Sequence, residues 1–141
     1  MRMYRKKTAK DYAEDNVQKH IAQWLRVKGY LFTSIPAGLI VSAVAQRTAN
    51  RLGYTKGAPD IIAWIPNGTV SIEVKRPEKR ELSLKTGKMV IANPKGVQTP
   101  EQKEFQERVQ KTPGHHYIVA YDVYDVEKYF EKIGDNNDNR N

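Results

Sequence analysis

The sequence predicts one α/β domain, a mixed β-sheet flanked by helices, and three observations carry that expectation. Apolar residues recur at helical spacing near both ends of the chain, strand-length runs rich in Ile and Val fill the middle, and the helix-like and strand-like segments interleave. With 141 residues and 39% hydrophobic content there is material for one core, placed here over residues 11–133.

In residues 11–28, Val17, Ile21, Trp24 and Leu25 mark the buried stripe of an amphipathic helix, closed by Gly29. Residues 30–35 read as a short strand stopped by Pro36 and Gly38, and residues 42–52 as a second helix ended by Gly53. Two apolar runs, 60–65 and 69–76, flank Pro66, Asn67 and Gly68. Asn-Gly between such runs is a hairpin signal, so a two-residue loop is expected at Asn67 and Gly68. After Pro77 comes a polar, basic stretch, residues 78–97, where 81–85 and 88–92 are expected to pair across Thr86 and Gly87 as a smaller ribbon.

Thr99 is placed to cap the next helix, with Pro100 at its first position and Gln102 closing a capping box. That helix should run to about residue 111, where Pro113 and Gly114 end it. Residues 117–121 read as a strand, and Val126, Tyr129, Phe130 and Ile133 mark a last helix. The polar residues 134–141 are expected to form a disordered tail.

Composition narrows the function. No run approaches the roughly 20 apolar residues of a membrane span and no signal peptide is evident, which predicts a soluble protein of the cytoplasm. Without cysteine there is no disulfide, thiolate zinc site or iron–sulfur cluster, so any metal must be held by oxygen or imidazole. Lys and Arg outnumber Asp and Glu by 24 to 16, and the net charge of +8 favours a polyanion. Arg2, Arg5, Lys6, Lys7 and Lys10 form a basic arm over residues 1–10, which either follows phosphates or is a solvated terminus.

The chemistry concentrates in IEVKR, residues 72–76. A period of two puts Glu73 and Lys75 on one face and Ile72 and Val74 on the other. With the loop at Asn67 and Gly68, counting back sets Asp60 opposite Lys75 and on the same face as Glu73. Diagonal neighbours lie roughly 7 to 8 Å apart at Cα, so the two carboxylates can lean onto one ion. Paired carboxylates repel unless a cation lies between them, and all-oxygen ligation suits Mg²⁺ or Mn²⁺. Such an ion polarises a phosphate oxygen and makes hydroxide accessible near neutral pH. Lys75 beside it would orient the attacking water or take its proton. The plainer alternative is that Asp60 caps a strand end while Glu73 and Lys75 pair on a solvated face. Glu14 falls on the apolar stripe of the first helix, where a carboxylate needs a partner. It points at the ion, directly or through water, or else reaches past the rim to solvent.

GAPD at residues 57–60 followed by IEVKR resembles the active-site signature of the PD-(D/E)XK nuclease superfamily. Within it the pattern is most similar to the VRR-NUC domain, the virus-type replication–repair nuclease module: EDNVQKHIAQWL in the first helix, the PAG turn, AVAQRTANRLGYTKGAPD, EVK, TPEQKEFQERV and YIVAY. The resemblance implies a restriction-endonuclease-like α-β-β-β-α-β core and a metal-dependent endonuclease acting on DNA phosphodiesters. It implies Glu14, Asp60, Glu73 and the Val74 carbonyl as ligands of Mg²⁺ or Mn²⁺, Lys75 as the catalytic lysine and Gln102 as the helical glutamine beside the site, with no small-molecule cofactor. It further implies a homodimer acting on Holliday-junction-like or other branched DNA in replication, recombination or repair, in a bacterial cell or a phage-infected one. The stretch 78–97 exceeds the brief turn usual in small members. Its Lys79, Arg80, Lys85, Lys88 and Lys95, with Lys56 and Arg76 near the motif, are expected to contact DNA or simply to solubilise the ribbon.

The remaining candidates read more plainly. His115 and His116 are adjacent on a strand, point to opposite faces and are expected as surface or capping residues; His20 carries no special weight. Trp24 and Trp64 are expected in the core. Rival readings are a non-catalytic nucleic-acid-binding module on the same fold, or a nuclease acting on flaps or RNA.

Overall fold

A computed structural model describes residues 8–40 and 42–138 of the chain. Helix α1 (Ala9–Lys28) begins two residues before the expected start because Thr8 and Asp11 form a capping box, and it ends at Gly29 in the left-handed region, φ 81°. Residues 1–7, which hold most of the basic arm, lie outside the described residues. Strand β1 (Phe32–Ser34) leads into a single 3₁₀ turn (Ala37–Leu39) at the PAG motif. Helix α2 (Ala43–Arg51) follows, capped by the Ser42 hydroxyl.

Strands β2 (Ile61–Ile65) and β3 (Gly68–Val74) form the central hairpin, and β4 (Lys79–Leu82) and β5 (Met89–Asn93) form a second one. Helix α3 (Pro100–Gln110), strand β6 (His115–Ala120) and helix α4 (Val123–Asp138) complete the chain. The four-stranded sheet has the order β1-β2-β3-β6, antiparallel from β1 to β3 and parallel between β3 and β6. It is the mixed α/β sheet expected. The β4–β5 pair forms a separate two-stranded sheet.

The period of two divides the sheet into faces. Ile61, Ala63, Val70, Ile72, Val74, Ile118 and Ala120 are buried in one cluster with Val17, Ile21 and Leu25 of α1 and Val126 and Phe130 of α4. Burying an aliphatic side chain of this size is worth roughly 1.5–3 kcal/mol, so this face carries most of the stability. Trp24 stacks on Tyr30 and meets the edge of Phe130, as a core residue should. The opposite face carries Asp60, Glu73 and Lys75.

Four expectations need correction. The central hairpin pairs Ile65 with Gly68, so its two-residue loop is Pro66 and Asn67, not Asn67 and Gly68. Asn67 takes the positive φ, 65°, at the position a type II turn reserves for such a residue, with Pro66 before it. Gly68 is needed for another reason: a Cβ there would run into the Gly114 carbonyl at the start of β6. The true register sets Asp60 level with Glu73 instead of Lys75. This two-residue shift preserves the face, because side chains alternate with period two.

Trp64, expected in the core, is 44% exposed, because its even position on β2 shares the Asp60 face. The small ribbon exists, but it pairs residues 79–82 with 89–93, and its loop spans Leu84, Lys85, Thr86 and Gly87. Finally, α4 continues to Asp138, through part of the expected tail; one glycine at 134 costs a helix only about 1 kcal/mol and no proline follows to stop it. Among the described residues no helix is long and apolar enough to cross a membrane.

Candidate active site

Asp60 is fixed before its side chain does anything. Its N–H donates to the Ile72 carbonyl at 3.1 Å, and its carbonyl accepts the Ile35 N–H at 2.8 Å, so its backbone is held from both flanking strands. The carboxylate then reaches across and accepts the Val74 N–H at 2.7 Å. Gly57, three residues earlier, has φ 92°, and a Cβ there would collide with the Glu101 carbonyl. The GAPD turn is therefore pressed against the start of α3, which explains why its first residue is glycine.

Glu73 lies on the central strand at 2% exposure, and Lys75, two residues on, at 8%. The Lys75 ammonium is 3.4 Å from Glu73 Oε1. The same oxygen accepts the Gln102 side-chain N–H at 2.7 Å. Gln102 works at both ends: its amide oxygen accepts the Thr99 N–H at 2.9 Å to close the capping box while its NH₂ holds Glu73. One residue thus ties the start of α3 to the acidic site.

The other carboxylate oxygen, Glu73 Oε2, is buried and has no hydrogen-bond partner among the described residues. Burial, then the Asp60 charge, pushes the Glu73 carboxyl far above the usual carboxylate range, against the pull of Lys75. Asp60 is raised as well, chiefly by burial, with the Val74 N–H and Lys75 opposing. Without a cation between them the two carboxyls are stable only if they retain a proton. A bare buried oxygen, paired carboxylates and an all-oxygen donor set fit a hard divalent cation.

Glu14 stands in the same field. Its carboxyl is raised by burial and then by Asp60, and lowered by Lys75. Even so, among the described residues no group of three Asp, Glu or His side chains is gathered closely enough to hold a metal ion. Of the expected ligand set, Asp60 and Glu73 lie level on paired strands, and Glu14, half-buried on α1, feels the charges of Asp60 and Lys75. Val74 enters through its N–H on Asp60.

The expected phosphate contacts separate into two groups. The Arg76 guanidinium donates twice to the Pro94 carbonyl, at 3.0 and 3.2 Å, and so fastens the returning end of the ribbon to β3. Lys79 pairs with Glu81 and Arg80 with Glu78, each at 2.9 Å, and Lys56 pairs with Glu101 at 3.3 Å. Lys95 lies over the Tyr121 ring, 4.8 Å from its centroid. Lys85 and Lys88, near the ribbon tip, are exposed without an ion-pair partner among the described residues.

His115 bonds the Thr69 hydroxyl and His116 the Tyr129 hydroxyl, each at 2.8 Å. They point to opposite faces, as expected, but are half-buried and partnered instead of surface caps. Sequence reasoning missed Tyr117. The parallel register sets it beside Ser71, on the Glu73 face, and it is buried. Its hydroxyl has no hydrogen-bond partner among the described residues, and burial followed by the Glu73 charge holds the phenol far above its ordinary pKa. Only strand parity could have signalled it.

No family model and no curated protein matches the sequence. A solved structure described as a VRR_NUC domain protein is similar with a TM-score of 0.53 at 26% sequence identity, over 85% of this chain and 86% of that one. The chain has the VRR-NUC fold, a nuclease-like α/β architecture.

Proposed function

We propose that this VRR-NUC-folded chain is a metal-dependent endonuclease that hydrolyses DNA phosphodiester bonds at the Asp60–Glu73–Lys75 centre. The observation that carries the reading is the mutually repelling pair of a buried Glu73 and a half-buried Asp60, with one bare oxygen and a buried lysine beside it, on a nuclease-like fold. A solvated cross-strand ion pair, the plain alternative, would not be buried on both sides.

Asp60 and Glu73 would hold the ion, with Glu14 contributing charge from α1. When bound, a divalent ion neutralises phosphate charge and lowers the cost of forming hydroxide. The chain's own residues do the rest. Gln102 fixes the Glu73 carboxylate, and the Val74 N–H fixes Asp60, so neither has to reorganise when substrate arrives. The Lys75 ammonium, nearly enclosed, orients the attacking water and offsets charge developing on the phosphate. Lys85 and Lys88 contact DNA phosphates away from the cut, while Arg76 holds the ribbon root. The net charge of +8 favours the polyanion. Branched DNA as substrate, a role in replication, recombination or repair and a homodimeric working form belong to the same reading, supported by the family resemblance.

The test is cleavage of labelled four-way junction, flap, linear duplex and matched RNA with Mg²⁺ or Mn²⁺, beside EDTA and Asp60→Ala controls. We expect branched DNA to be cut only with metal, and the variant to bind without cutting. Wild-type protein that shifts DNA and never cuts it would establish a binding module instead.

A further inference from the structure

The described residues contain two buried side-chain polar atoms without a hydrogen-bond partner, Glu73 Oε2 and the Tyr117 hydroxyl. Buried polar groups are nearly always satisfied, and each exception asks for an explanation. Here both exceptions belong to one cluster. Tyr117 sits on β6 directly beside Ser71, two residues before Glu73 on the same face of β3, and its hydroxyl feels the charge of Glu73 first and Asp60 next. The Gln98 side chain, whose NH₂ also donates to Gln106 at 3.1 Å, is its other polar neighbour. The buried hydroxyl is thus a donor beside the Glu73 carboxylate that makes no hydrogen bond of good geometry among the described residues.

We propose that Tyr117 is a positioning residue of the nuclease centre, its hydroxyl donating to the Glu73 carboxylate when that group ligates the divalent ion. The inference rests on the metal-dependent reading above. Glu73 Oε1 already receives Gln102 and Lys75, so an ionised Glu73 offers Tyr117 the lone pairs of Oε2 that the ion leaves over. Partners of metal ligands typically change metal affinity 10–100-fold when removed, and the hydroxyl should do the same. Deleting an unsatisfied buried hydroxyl, by contrast, should not harm the metal-free fold.

The experiment compares wild type, Tyr117→Phe and Asp60→Ala as full chains, reading the thermal midpoint in EDTA and the Mn²⁺ concentration that gives half of the maximal thermal shift. The proposal predicts that Tyr117→Phe melts in EDTA no lower than wild type while its half-saturating Mn²⁺ rises roughly 10-fold or more. Unchanged Mn²⁺ affinity in Tyr117→Phe, or an equal loss of midpoint with and without metal, would show a packing residue and overturn it. If wild type itself showed no Mn²⁺ shift beyond Asp60→Ala, the metal-dependent reading would fall first and Tyr117 with it.

Discussion

The chain contains two antiparallel hairpins, β2–β3 and β4–β5, and they break the usual rule of burial in opposite directions. The first encloses charge: Glu73 and Lys75 are nearly inaccessible, and Asp60 meets them from the neighbouring strand. The second exposes apolar side chains: Leu82, Met89, Val90 and Ile91 are all about half exposed or more, and Leu84 at the tip is 97% exposed. A buried charge destabilises the free protein unless something compensates it, whereas an exposed apolar side chain costs little and packs against nothing. The contrast separates a region organised for chemistry from one whose loss the fold should scarcely notice.

The largest effect that sharpens this contrast is on cleavage. Glu73→Gln should reduce single-turnover cleavage by on the order of 10²–10³-fold and Lys75→Ala by about 10²-fold, with DNA affinity changed far less. Loss of affinity in proportion to loss of rate would make these residues binding groups.

The next effect is on stability, with the opposite sign. The Asp60 and Glu73 carboxyls are raised in the fold above their unfolded values, so the fold binds their protons more tightly than the unfolded chain does. The stability they contribute is full below the unfolded carboxylate range near pH 4 and is lost as pH rises through the folded value, about 8 for Glu73. In EDTA, Asp60→Asn should therefore raise the unfolding free energy at pH 8 by about 1–2 kcal/mol and much less at pH 5, as read by denaturant melts. A variant equally or less stable at pH 8 would mean that the pair does not repel.

The smallest effects should come from the ribbon. Replacing Leu82, Met89 and Ile91 singly with Ser should move stability within about 0.5 kcal/mol each, since little is buried. Lys85→Ala and Lys88→Ala should each flatten the logarithmic salt dependence of DNA binding by about one. A cooperative loss of fold on changing the ribbon would erase the distinction between the hairpins.

The two hairpins also differ in how readable they were. Ile72 and Val74 alternate with Glu73 and Lys75, so the faces of β3 followed from spacing alone, and the site survived a misplaced turn because the error was an even number of residues. The Asn-Gly signal misplaces the turn because it outweighs Pro66, whose fixed φ suits the first central position of a type II turn with Asn67 at the second. Gly68 owes its identity to Gly114, a contact distant in sequence. Trp64 was misplaced because its size suggested burial while its parity put it on the open side. In the ribbon, neither face is covered by the other described residues, so no alternation fixes its ends. Arg76, read as a phosphate contact, turned out to hold Pro94, which only the return path of the chain could reveal.

The raised Asp60 and Glu73 carboxyls lead to the central claim that a divalent cation bound by the pair displaces a proton from it. Calorimetric titration of Mn²⁺ at pH 7 in buffers of differing ionisation enthalpy measures it, because an ion that ionises the pair must release that proton. The account predicts proton release with wild type and neither binding nor release with Asp60→Asn; equal Mn²⁺ binding by both proteins, with no protons released, would contradict it.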